Sequence, residues 1–177
     1  QLAPPELIRE SAGLEPLYRA LEADPGAAVA IDTEADSFHH YYEKVCLLQI
    51  GVGGEVFLVD PLAGLDLGPV LEHLARRPLL LHGADYDLRL LHRTYGLRAS
   101  ELFDTMIAAQ LLGEREIGLA ALLSRRVGVS LDKAHQKADW SERPLSADRR
   151  VYAAADVAYL AELVASLRTD LEAKGRL

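Results

Sequence analysis

Asp32 and Glu34 stand two positions apart at the end of an apolar run, Ala27-Ala28-Val29-Ala30-Ile31. Small and β-branched residues in such a run read as a buried strand. Alternation along a strand then puts both carboxylates on one face, about 7 Å apart. Two anions on one face of a buried strand repel each other and resist desolvation. Either the strand frays and both sit in water, or a divalent cation removes both penalties. Two helical patterns hold the same anomaly. The last has an apolar stripe of Tyr152, Leu160, Leu163, Val164, Leu167 and Leu171, and Asp156 falls inside it, four residues from Tyr152 and four from Leu160. In the other, Asp87 shares a side with Ala84, Leu88, Leu91 and Tyr95, whereas Asp85 reads as a cap or first-turn acid.

Four carboxylates on three elements form an oxygen-only donor set, which suits Mg²⁺ or Mn²⁺ rather than zinc. With open coordination positions the set suits two ions about 3.5–4 Å apart that clamp a phosphodiester. A single structural Ca²⁺ would draw on the same residues. Other chemistries are poorly represented: the chain has no Gly-x-Ser-x-Gly elbow, Walker loop or His-Glu-x-x-His. Gly51-x-Gly53 lacks a third glycine and leads into a strand, and His39-His40 reads as a polar loop.

The elements that must position these residues follow from periodicity and breakers. A helix is predicted over 6–24, ended by Asp24-Pro25-Gly26, and the acidic strand comes after it. Val45–Val52 and Glu55–Asp60 read as two strands joined by Gly53-Gly54, the pair a tight primed hairpin turn requires. Helices about 66–76, 85–95, 104–112 and 118–126 alternate with short strands at 78–82 and 102–103. Residues 128–144 are irregular and polar, and one long helix is predicted over about 147–173. Three meandering strands followed by α-β-α-β-α predict an α/β fold, a mixed sheet flanked by helices.

The chain has 177 residues, a single cysteine and a net charge of −8. One domain is expected over 1–177, with its core in about 27–165; an internal disulfide is excluded, and so is a CxxC metal site. No apolar run approaches ~18 residues, so no membrane association is expected, and a cytoplasmic location is the expectation. The acidity argues against a general nucleic-acid-coating protein. Charge is nonetheless uneven: residues 125–150 hold Arg125, Arg126, Lys133, Lys137, Arg143, Arg149 and Arg150 against four acids. That segment fits either a small phosphate-contacting surface or a solvated loop.

Asp32-Thr33-Glu34, His82-Gly83-Ala84-Asp85-Tyr86-Asp87 and Tyr152-x-x-x-Asp156 resemble, in order and spacing, the three exonuclease motifs of the tyrosine-bearing branch of the DEDD superfamily. The stretches at 44–50, 102–109 and 133–160 are similar to those of ribonuclease D proteins in particular, so the resemblance covers about 27–165. It implies a ribonuclease H-like fold and a 3′→5′ exoribonuclease that trims single-stranded RNA 3′ ends and releases nucleoside 5′-monophosphates. By motif, Asp32, Glu34 and Asp156 would hold one divalent cation and Asp32 with Asp87 a second, while Tyr152 would orient the attacking water beside Glu34. Thr33, Lys133, Gln136, Trp140 and Arg143 are the implied substrate contacts; Trp140 reads equally as an anchor for the irregular segment, and Lys44 is a weaker candidate. Asp104 reads as a helix cap. His82-Gly83 departs from the asparagine of many relatives, and the helical nucleic-acid-binding domains of longer ribonuclease D proteins are not expected here. Single-stranded DNA is the alternative substrate, and a non-catalytic nucleic-acid-binding scaffold is the reading from another class.

Overall fold

The computed structural model describes residues 2–36, 43–132 and 134–177. Strands β1 (Leu7–Ile8), β2 (Val29–Ala35), β3 (Val45–Val52), β4 (Glu55–Val59), β5 (Pro78–Leu81) and β6 (Glu101–Asp104) form one sheet in the order β1-β4-β3-β2-β5-β6. The β2-β3-β4 meander is antiparallel, and β1, β5 and β6 join their neighbours in parallel. Gly53 and Gly54 turn β3 into β4 with φ of 61° and 83°, values that only glycine adopts without strain. The mixed sheet expected from the sequence is therefore present.

Helices cover both faces. α1 (Glu15–Ala23), α2 (Gly68–Ala75) and α3 (Asp85–Tyr95) cover one face, where Ile31, Ile50, Val59, Leu79 and Leu81 enter a common apolar core with Leu17, Leu74 and Leu91. α4 (Thr105–Leu112), α5 (Leu119–Arg126), α6 (Ala147–Ala158) and α7 (Leu160–Ala173) cover the other. Ala30 points to that second face, and the period of two carries Asp32 and Glu34 to the same side. The second face is thus apolar at the middle of β2 and acidic at its end.

Two elements differ from expectation. The helix predicted over 6–24 is confined to α1, because Leu7 and Ile8 pair with Leu58 and Val59 as an edge strand. That pairing spans about fifty residues and leaves no trace in local periodicity. The long helix predicted over 147–173 breaks at Tyr159, with φ −116° and ψ 7°. α6 packs on β2, β3 and β4, while α7 packs on β5, α4 and α5. The break lets one amphipathic stripe cover two differently oriented surfaces. Gly51 permits the close approach of α6: a Cβ there would stand 3.1 Å from the Val157 carbonyl oxygen and 3.3 Å from the Ala30 Cβ.

The irregular segment before α6 is tied down by a buried ion pair. Asp60, fully buried after β4, accepts from Arg143 through both oxygens, at 2.8 and 2.9 Å, and from Arg9 Nε at 3.1 Å. Burial alone would raise the Asp60 carboxyl, but the hydrogen bonds and charge of Arg143, with help from the Leu62 N–H and Arg9, pull it below its ordinary value. The Arg143 side chain is only 15% exposed, against 56% for Arg9. Arg143→Ala strands a buried carboxylate and is expected to cost about 3 kcal/mol or more. Arg9→Ala is expected to cost under about 1 kcal/mol, and denaturant unfolding of the two variants measures the difference.

Candidate active site

Asp32, Glu34 and Asp156 each present a carboxylate oxygen within 4.8 Å of the other two. β2 supplies the first pair, and the last turn of α6 lays Asp156 over them because Ala153, Ala154 and Gly51 allow the helix to sit close to the sheet. Asp87 approaches from the opposite face, in the first turn of α3. Thr33, whose side chain alternates to that face, donates to Asp87 Oδ1 from its backbone N–H at 3.1 Å and from its hydroxyl at 2.5 Å. The start of α3 is held by Asp104, which accepts from the N–H groups of Gly83 and Ala84 while capping α4 through Met106 and Ile107. Asp104 is thus a cap, as read from sequence, and it also joins the starts of two helices.

Crowding dominates the electrostatics. Burial, then the charges of Asp156 and Asp87, push Glu34 up to about 9. Burial and Asp87 push Asp156 up to about 7. Asp32 is raised well above its ordinary value by burial first, then by Asp87, Asp156 and Glu34, against the opposing Thr33 N–H. Asp87 is raised by burial, with the Thr33 hydrogen bonds opposing. Tyr152 lies one turn before Asp156, and burial and these carboxylates raise its phenol, so it remains a hydrogen-bond donor at neutral pH.

Asp32, Glu34, Asp156 and Tyr152 line a cleft of about 370 Å³ whose walls also include His82, Gly118–Ala121, Asp132 and Gln136. His82 Nδ1 lies 2.8 Å from the Thr105 hydroxyl, which donates to the Leu81 carbonyl at 3.2 Å. The hydroxyl proton being used there, Thr105 accepts from Nδ1–H, and Nε2 is left as an acceptor. Burial lowers the His82 pKa, which keeps the ring neutral. Gln49, wholly buried and opposite Asp32 in the β2-β3 register, places its Nε2 3.5 Å from Asp32 Oδ2. Its Oε1 has no partner among the described residues. Neither Gln49 nor His82 was among the sequence candidates. The available signal for Gln49 was a lone amide inside the apolar run Val45–Ile50.

The remaining candidates separate. Gln136 is exposed at the cleft, and Thr33 acts on Asp87. Trp140 is 2% exposed in a core with Cys46, Leu47 and Leu58 and packs 5.9 Å from the Tyr152 ring, so it anchors the irregular segment. Arg143 is a correction: its Nε and both terminal nitrogens make five bonds, to Asp60 and to the carbonyls of Cys46, Trp140 and Glu142. A guanidinium has five N–H donors, and none remains for a phosphate. Arg125, Arg126, Arg149 and Arg150 are likewise paired with acids, against the phosphate-surface reading of 125–150. Lys133 and His39-His40 lie outside the described residues.

A family model described as 3′-5′ exonuclease matches residues 5–172. The chain is 38% identical over 177 residues to ribonuclease D of Granulibacter bethesdensis, covering 98% of this chain and 44% of that protein. It is similar to the crystal structure of Escherichia coli RNase D, described as an exoribonuclease involved in structured RNA processing. That likeness has a TM-score of 0.87 at 35% identity and covers 97% of this chain and 46% of that one. Brucella melitensis NrnC with bound Mg²⁺ gives a TM-score of 0.75 at 30% identity, covering 88% and 79%, and the same protein has been solved bound to pGG. The chain spans less than half the length of the curated ribonuclease D proteins it matches.

Raised carboxyls make a statement about stability without metal. The folded protein keeps protons on Glu34 and Asp156 at pH values where the unfolded chain has released them. Stability in chelator therefore falls as pH rises from the ordinary carboxylate range towards about 9. Asp156→Asn removes one of these anions and relieves its neighbours. Its melting temperature in chelator at pH 8.5 is expected to exceed the parent's by roughly 3 °C or more, with a shallower pH slope, in thermal unfolding.

Proposed function

The chain belongs to the 3′–5′ exonuclease family and has the ribonuclease H-like fold of ribonuclease D proteins, and from that premise we propose that it is a two-metal-dependent exoribonuclease. In this reading it trims single-stranded RNA 3′ ends and releases nucleoside 5′-monophosphates. The observation that carries it is the convergence of Asp32, Glu34 and Asp156 within 4.8 Å, beside Asp87 and Tyr152. An all-carboxylate donor set fits Mg²⁺ or Mn²⁺, and the repulsion among these groups is what such a cation relieves. Asp32, Glu34 and Asp156 would hold one ion, and Asp32 with Asp87 the other. When bound, the ions lower the pKa of water and offset negative charge at the reacting phosphate.

The protein's own groups divide the remaining work. Tyr152 keeps its proton and donates a hydrogen bond to the attacking water, orienting it beside Glu34. Thr33 holds Asp87 in place, and Gln49 fixes the rotamer of Asp32. His82 offers a neutral acceptor from the cleft wall, suited to a sugar hydroxyl. Gln136 stands at the same cleft to contact the terminal nucleotide, and Lys133 remains a phosphate contact on sequence grounds alone. The names of the relatives favour RNA over DNA; selection between them requires sensing of the 2′-hydroxyl.

Matched 5′-labelled RNA and DNA 12-mers with Mn²⁺ or Mg²⁺ test the reading. RNA is expected to shorten stepwise from its 3′ end, to stop in chelator and to resume with added Mn²⁺. Faster loss of the DNA strand would reverse the substrate choice. Asp32→Asn is expected to abolish hydrolysis, and unchanged function in that variant would favour a scaffold. Tyr152→Phe is expected to lower kcat by roughly 10²-fold while the Mn²⁺ midpoint stays put, since the phenol holds water and not metal.

A further inference from the structure

Five arginines in 125–150 pair with acids within the fold, and the side chains of Arg126, Arg143, Arg149 and Arg150 are 15–21% exposed. The cations of α3 are different. Arg89 and Arg93 lie one turn apart on its outer face with side chains 77% and 60% exposed, and Arg98 follows just past the αL cap Gly96. With His92 they surround a cleft of about 680 Å³ that includes Leu97 and the exposed Leu102. Arg89 pairs with Asp85 and Arg93 with Glu43 at 3.5 Å, while Arg98 makes no ion pair among the described residues. Exposed pairs of this kind are worth under about 1 kcal/mol and exchange readily for a stronger anion. In a chain of net charge −8, three exposed guanidiniums around one cleft form a local exception.

We propose that this outer face of α3, with Arg89, Arg93 and Arg98, binds the backbone phosphates of the single strand whose 3′ end occupies the carboxylate cleft. The proposal rests on the exonuclease reading and adds to it a path for the strand. The first turn of α3 sets Asp87 beside Asp32, and the helix runs on from there at about 1.5 Å per residue, which puts Arg89 about 3 Å and Arg93 about 9 Å along its axis. A stacked strand advances about 3.4 Å per nucleotide. Contact therefore begins about one nucleotide from the scissile bond at Arg89 and reaches Arg93 about three nucleotides upstream. Guanidiniums suit phosphate oxygens through their planar pair of donors, and the leucines between them suit a ribose or base face. A dinucleotide is too short to reach Arg93 and Arg98; a 12-mer reaches all three.

The triple variant Arg89→Ser, Arg93→Ser, Arg98→Ser tests this, with the Arg→Lys triple as a charge-preserving control. On a single-stranded 12-mer the serine variant is expected to raise KM about 10-fold at unchanged kcat, and to raise the dinucleotide KM less than about 3-fold. The salt dependence of 12-mer binding, read by fluorescence anisotropy in chelator, is expected to fall by about 2 in log–log slope, near 0.7 for each lost phosphate contact. The lysine variant is expected to retain most of the affinity. Equal losses on dinucleotide and 12-mer, or a 12-mer affinity and salt slope that do not move, overturn the proposal. If the parent protein hydrolyses neither substrate, the exonuclease reading fails, while anisotropy still decides the fate of the α3 face.

Discussion

Like charges forced together out of water are the constraint on which the rest of this structure depends. The pleat of β2 sets Asp32 and Glu34 on one face, α6 brings Asp156 over them, and α3 adds Asp87 from the side. Repulsion and desolvation push the carboxyls upward, to about 9 at Glu34 and about 7 at Asp156. Such a cluster stands because the apolar contacts of a six-stranded sheet with helices on both faces hold it. The site is a local loss of stability carried by the fold around it, and hard divalent cations are the chemistry that would recover the loss.

Small residues and short polar ties set the geometry. Ala153, Ala154 and Gly51 bring α6 close enough for Asp156 to join the β2 pair. Asp104 joins the starts of α3 and α4, and the two Thr33 hydrogen bonds align Asp87. On the far side of Tyr152, Trp140 packs near the ring and Arg143 ties its segment to Asp60 and β3. Arg143, Arg149 and Arg150 are thus used within the protein. Arg89 and Arg93 on the outer face of α3, by contrast, are well exposed.

Much of this was legible from residue pattern. The antiparallel meander followed from alternation and from Gly53-Gly54, and the alternating helices and strands after it followed from apolar spacing and breakers. Asp32, Glu34, Asp87 and Asp156 stood out because an acid on an apolar face contradicts its surroundings, a local anomaly that needs no tertiary knowledge. Residues whose role depends on a distant partner were misread or missed. Arg143 looked like a phosphate ligand because nothing nearby announces Asp60, 83 positions away. Trp140 stood undecided until Leu58 and Cys46 closed over it, and Gln49 gained meaning only opposite Asp32.

By itself the sequence determined the type of sheet, the four acids, the tyrosine one helical turn before Asp156, and the hard-cation chemistry they suit. The sheet and the acids rest on periods of 2 and 3.6 and on the mismatch between a charge and its apolar neighbours, which are local quantities, while the tyrosine was singled out by its place in a motif resembling those of exonucleases. Only the tertiary structure decided that Leu7–Ile8 is a strand, that the final helix breaks at Tyr159, which arginines are consumed internally, and which polar groups orient the carboxylates. The physical reason is that each of those outcomes is a pairing between residues far apart in the chain. Its energy depends on what else occupies the same space.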